Sequence, residues 1–213
     1  MNLLAQILLY GIPVLFAVAL HEVAHGEVAR LLGDSTAQDQ GRLSLNPLRH
    51  IDPVGTVLVP AFMILTVGMA FGWAKPVPVD PRRFVNPLKD MALVAIAGPA
   101  ANLLMAIVWV IVLLLVSQLQ MGSFGYWLKG MAVFGVQINA ILMILNLLPV
   151  PPLDGGRILT GVLPQNMAIL MIRFEKLGML LVILLLVSGI LGTILNPLVK
   201  GFQLKLYSIF GLL

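Results

Sequence analysis

Residues 21–25 read His21-Glu22-Val23-Ala24-His25, inside an apolar stretch long enough to cross a bilayer. In a helix the two histidines fall one turn apart on one face, so both imidazoles can reach a single metal ion. Glu22 lies beside them, placed to take a proton from a metal-bound water. Ionisable groups among Leu, Val and Ala cost roughly 2.5–3.5 kcal/mol each on insertion scales unless something pairs with them. A zinc ion is a good candidate for that partner.

Two histidines leave such a site incomplete, because catalytic zinc takes a third protein ligand and keeps one position open. His50, the one other histidine, sits in Leu48-Arg49-His50-Ile51-Asp52-Pro53, and its place at an interfacial chain turn favours a structural role. Asp154 is the better candidate. It lies in Asn146-Leu-Leu-Pro149-Val-Pro-Pro152-Leu-Asp154-Gly155-Gly156-Arg157, where a proline-stiffened extension presents one carboxylate flanked by glycines. The chain has no cysteine, which excludes disulfides and thiolate ligands. Two imidazoles and a carboxylate suit Zn²⁺ and also admit Co²⁺ or Mn²⁺.

The elements that must position these groups belong to a membrane. Of 213 residues, 60% are hydrophobic and only 10% charged, too little polar surface for a soluble domain of this size. The net charge of +4 therefore marks membrane sidedness and not nucleic-acid binding. The N-terminus lacks a basic n-region and runs straight into the histidine motif, so no cleavable signal peptide is expected. A single domain over 1–213 is expected, with a catalytic core at about 1–160 and a C-terminal helix and tail at 166–213. Apolar segments fall at about 2–32, 53–72, 91–118, 130–149 and 177–196. The alternation from Gly41 to Asn46 predicts a short strand or hairpin arm. Pro76, Pro78, Pro81 and Pro87, among Lys75, Arg82, Arg83 and Lys89, predict extended surface backbone. The tail after Pro197 is too short to span and is expected in the interface.

Segment 53–72 decides how the site assembles. As a full span it splits the basic residues almost evenly and carries Asp154 to the face away from 33–50. As a re-entrant hairpin it gathers Arg30, Arg42, Arg49, Lys75, Arg82, Arg83, Lys89, Arg157, Arg173 and Lys176 on one side, ten of the thirteen. The positive-inside rule prefers the second arrangement. Pro53, Gly55, Pro60, Gly68 and Gly72 supply the breaks. The expected fold is an all-α polytopic membrane protein with about four spans, a re-entrant loop and short β-hairpin elements. Its N-terminus lies outside, and its site faces the cytoplasm, most naturally in the plasma membrane.

The residues carry a family resemblance. His21-Glu22-x-x-His25 in the first span, Gly98-Pro99-Ala-Ala-Asn102 in another, and Asn146 through Asp154-Gly155 ending a third resemble the site-2 protease family of intramembrane zinc metalloproteases. The likeness runs over roughly residues 15–160, including Gly41-Arg-Leu-Ser-Leu-Asn46-Pro47 and Gly72-Trp73-Ala-Lys-Pro76-Val-Pro78. It implies one zinc ion on His21, His25 and Asp154, Glu22 as general base, and a transmembrane protein substrate in the lipid bilayer. The PDZ and CBS domains of many relatives are absent here, so their modes of regulation do not carry over. An oxyanion donor besides zinc is needed. Asn146 is the first choice and Asn102 the second, although Asn102, with Gly98 and Ala100, also suits close helix packing. A substrate helix must unwind before attack, and a strand in 41–46 or the re-entrant loop could hold it by β-addition. The competing class is a transporter or channel with a buried metal or proton site, but no internal repeat supports it. The oligomeric state is left open.

Overall fold

A computed structural model describes residues 3–59, 62, 63, 65, 72, 75–119 and 122–213, with backbone alone at 47, 48, 57 and 176. The described residues form α1 (Leu3–Leu31), α2 (Thr36–Asp39), α3 (Pro87–Gln118), α4 (Gly122–Asn146), α5 (Asp154–Val162), α6 (Gln165–Arg173), α7 (Glu175–Val187) and α8 (Ile190–Ile209). Short turns of 3₁₀ type stand at Pro47–His50 and Pro81–Arg83, and one of π type at Pro53–Leu58. Among the described residues three helices, α1, α3 and α4, are long and apolar enough to cross a membrane. The 29 residues of α1 reach about 44 Å at 1.5 Å per residue, more than the hydrocarbon core requires. Pro87 opens α3 at a position where its missing N–H leaves nothing unpaired. The Asp90 carboxylate there accepts the Asn86 N–H at 2.8 Å.

Two expectations are corrected. Among the described residues there is no β-strand, so the fold is helical without β-hairpins. The alternating stretch Gly41–Asn46 spends its polar groups differently. Arg42 donates to the carbonyls of Arg49 (2.8 Å) and Lys75 (2.9 Å), Arg49 donates to the Gly41 carbonyl (2.9 Å), and the His50 ring to that of Ser44 (2.8 Å). Segment 75–80 has no regular secondary structure, and Pro76 and Pro78 have no N–H with which to build a ladder. The second correction concerns the spans: three helices qualify singly, and a fourth span requires joining α7 to α8. Those two are bent by 81° at Ser188-Gly189, where Gly189 has φ +76°, a conformation natural to glycine. The residues after Pro197 continue α8 to Ile209. Of the expected re-entrant segment 53–72, residues 60, 61, 64 and 66–71 lie outside the described residues.

Helix α3 touches α1, α4 and α5 and is the central post of the bundle. One apolar cluster joins Leu9 of α1, Ala106, Trp109 and Val110 of α3, Met131, Ala132 and Val136 of α4, and Leu206 of α8. A smaller one joins Ala29, Phe84 and Val94. Along α1, α3 and α4 a polar layer separates them: His21, His25, Asn102 and Asn139, all buried. Small residues on these faces (Ala17, Ala95, Gly98, Gly135, Ala140) let the helices approach closely enough to enclose it.

Candidate metal centre

Asp154 is the first residue of α5 and reaches the histidines because the chain folds back sharply after α4. A Cβ on Gly155 would run into the carbonyls of Leu147 and Leu148, and one on Gly156 into the backbone of Val150 and Pro151. Gly178 of α7 closes the turn from the other side, its α-carbon facing the Pro151 carbonyl. These glycines are therefore demanded by backbone-to-backbone approach.

At the centre, His21 Nε2 and His25 Nε2 stand 3.0 Å apart, and Asp154 Oδ2 lies 3.3 Å from each. The rings meet edge to face, with an interplanar angle of 88°. Their far sides are fixed. His21 Nδ1 donates to Asn102 Oδ1 at 2.7 Å, and His25 Nδ1 donates to the Val94 carbonyl at 2.7 Å. Both acceptors lack a hydrogen to give, so each places the imidazole proton on Nδ1 and leaves the Nε2 lone pair facing inward. Gly98 lies directly beneath, and a Cβ there would run into Nε2 of His25 and Cε1 of His21.

The donor set fits a divalent cation. Three electron-rich atoms converge in a buried site, and Asp154 Oδ2 has no hydrogen-bond partner. An orphaned buried carboxylate oxygen facing two imidazole lone pairs is costly without a cation among them. A tetrahedral zinc with bonds of roughly 2.0–2.1 Å needs ligand-to-ligand edges of about 3.3 Å, close to the three separations found.

The other expected residues lie around this centre. Glu22 Oε2 accepts the Val77 N–H at 2.8 Å. Asn146 closes α4, half-buried, and donates to the Leu142 carbonyl at 3.0 Å. Asn102 Nδ2 donates to the Ala17 carbonyl (3.1 Å) and to Asn139 Oδ1 (3.0 Å), which engages both of its N–H groups. His50 is buried and tied to the loop, its carbonyl accepting the Lys75 N–H at 3.0 Å. Sequence reasoning missed Asn139 and the Val94 carbonyl. An amide in the middle of an apolar span was a readable signal for the first; a backbone acceptor leaves none.

A helical membrane bundle enclosing two imidazoles and a carboxylate, with a glutamate next to the first histidine, defines the class of intramembrane metallopeptidases. Residues 117–189 match the sequence profile of Peptidase family M50. Relatives named "Putative zinc metalloprotease" include YwhC of Bacillus subtilis, 38% identical over 203 residues, 92% of this chain and 90% of that protein. Rip2 of Mycolicibacterium smegmatis is 30% identical over 189 residues, 88% of this chain and 70% of that protein. MJ0611 of Methanocaldococcus jannaschii is 39% identical over 66 residues, 31% of each chain. No solved structure matches. The chain belongs to peptidase family M50, the site-2 proteases, and its activity is that of a membrane-embedded zinc metalloprotease. The transporter alternative has no support among these relatives.

Proposed function

We propose that His21, His25 and Asp154 together hold one zinc ion, with Glu22 as general base, in an endopeptidase that cuts within or near a substrate's transmembrane helix. The observation that carries this reading is the convergence of His21 Nε2, His25 Nε2 and the unpartnered Asp154 Oδ2 within 3.0–3.3 Å of one another. The chemistry a zinc ion supplies in such a site is Lewis acidity, which polarises the scissile carbonyl and lowers the pKa of a water to about 7.

The chain's own groups do the rest. Asn102 and the Val94 carbonyl orient the two imidazoles. Glu22, one residue after His21, receives the proton of the attacking water on its carboxylate and returns it to the leaving amine. Its bond to Val77 engages Oε2 and leaves Oε1 for that transfer. Asn146 is our choice as hydrogen-bond donor to the developing oxyanion, since one of its N–H groups is held by Leu142 and the other can turn to substrate. The apolar walls exclude bulk water and admit a helix that has unwound locally to expose its peptide bonds.

The site faces the cytoplasm in a plasma-membrane protein acting as one domain. Support comes from the basic loops: Arg42 clamps 49 and 75–76, and Arg83 donates to Ser35 at 2.9 Å, gathering these cations at one end of the bundle. Reporter fusions near residues 45 and 80 should report the same cytoplasmic compartment; opposite compartments contradict the orientation. For the reaction, purified protein should carry zinc and cleave a membrane-spanning peptide in a chelator-sensitive way. Glu22→Gln should keep the zinc and lose the cleavage. Equal cleavage by both proteins defeats the assignment of Glu22.

A further inference from the structure

The polar layer contains a residue the reaction does not touch. Asn139 is fully buried in α4, as is Asn102 in α3, and the two form a chain with only one consistent polarity. Asn139 Nδ2 donates to the Gly135 carbonyl one turn back at 2.9 Å, which fixes its Oδ1 toward α3. That oxygen accepts one Asn102 N–H at 3.0 Å. The second Asn102 N–H goes to the Ala17 carbonyl of α1 at 3.1 Å. The Asn102 carbonyl oxygen is then the atom left for His21, and it accepts from Nδ1 at 2.7 Å. Free rotation of the Asn102 amide would place either a donor or an acceptor against the ring. Asn139 Oδ1 and the Ala17 carbonyl, both acceptors, remove that freedom together.

We propose that Asn139 is a positioning residue for the metal centre: through Asn102 it selects the His21 tautomer whose Nε2 lone pair faces Asp154, so a helix that supplies no ligand sets the affinity of the site. This rests on the reading that His21, His25 and Asp154 hold an ion. Asn139 lies two hydrogen bonds from His21, and its loss leaves the Asn102 amide held by the Ala17 carbonyl alone, weakening the hold that keeps the Asn102 oxygen against His21 Nδ1 and the ring proton off Nε2. Outer partners of metal-binding histidines are worth about 10–100-fold in metal affinity.

The test uses the full chain in detergent, with zinc affinity read by competition with a chromophoric chelator and ligand geometry by the visible absorption of the cobalt-substituted protein. Asn139→Leu, with the same number and branching of side-chain heavy atoms, should bind zinc about tenfold more weakly, the low end of that range, and show an altered cobalt spectrum. Asn139→Asp has the same shape and reach, with one oxygen to accept from Asn102 and, as the neutral acid, an O–H to donate to the Gly135 carbonyl, and should stay near wild type in both. Met143→Leu, also buried in α4, is the control for packing alone and should change neither. A folded Asn139→Leu protein with wild-type affinity and spectrum overturns the proposal, as does a folded Asn139→Asp protein as weak as the leucine variant. If the leucine variant does not fold, Asn139→Ala must show the same loss, and wild-type binding by it overturns the proposal equally. Failure of the wild-type protein itself to bind metal overturns the ligand assignment instead, which keeps the two claims separable.

Discussion

The Glu22 carboxylate accepts the backbone N–H of Val77 at 2.8 Å, across 55 residues of sequence, and Val77 owns the single amide hydrogen in Pro76-Val77-Pro78. The proposed base is thereby tied to the irregular segment 75–80. Val77 is buried against α1, where a Cβ on Gly26 would run into its Cγ1.

Replacing Glu22 by glutamine keeps an oxygen that can accept this N–H while removing the proton acceptor. Glu22→Gln should leave metal content and thermal stability unchanged while cleavage falls by about 10²–10⁴-fold, the range for loss of a general base. Parallel metal analysis, thermal melts and peptide cleavage check this. A variant that loses metal or stability as well as activity would assign Glu22 a structural role.

Gly98 bears on the inward-facing edges of both imidazoles. Gly98→Ala should raise the helix propensity of α3 yet empty the centre, because the new methyl displaces His25 Nε2 and His21 Cε1. Zinc per chain, measured on purified protein, should drop well below wild type while the protein still folds. Wild-type zinc content would show that the rings have room the structure does not give them.

Much of this centre can be read in the sequence. The i, i+4 spacing of His21 and His25 is a property of the helix itself, and the Gly155-Gly156 pair marks a close approach beside Asp154. What could not be read runs through backbone atoms and long separations. The Val94 carbonyl that holds His25 is 69 residues away, and any residue type can offer a carbonyl. The alternation at Gly41–Asn46 resembles a strand because period-two patterning records exposure, not the partner of each N–H. Here Arg42 and Arg49 supply the donors that a neighbouring strand would have supplied. The bend at Ser188-Gly189 was hidden within a segment of high average hydropathy, since hydropathy is blind to direction.

Asp34, fully buried just beyond α1, holds the loops together. It accepts the Asp80 N–H at 2.6 Å, the Thr36 N–H at 3.0 Å and the Thr36 hydroxyl, with Arg83 Nε 3.8 Å away. Burial pushes its pKa up, but the Thr36 and Asp80 hydrogen bonds and Arg83 outweigh it and hold the carboxyl below its ordinary range. A lowered folded pKa means that the stabilisation is complete above the unfolded value of about 4 and is lost as pH falls through the folded one. Asp34→Asn should therefore cost about 1.5–3 kcal/mol at neutral pH, the worth of one hydrogen bond to a charged group. The gap between variant and wild type should close below about pH 4, as the native carboxylate protonates. Thermal melts of both proteins across pH 3–7 check this; a gap of constant size would show that charge plays no part.

The account stands on one zinc ion shared by α1 and α5, and X-ray absorption at the zinc edge on purified protein tests that most directly. It should show one zinc per chain with two imidazoles at roughly 2.0–2.1 Å and oxygen completing the shell, and Asp154→Ala should lose the metal or change that shell. A spectrum without imidazole scattering, or an unchanged one in Asp154→Ala, would contradict it.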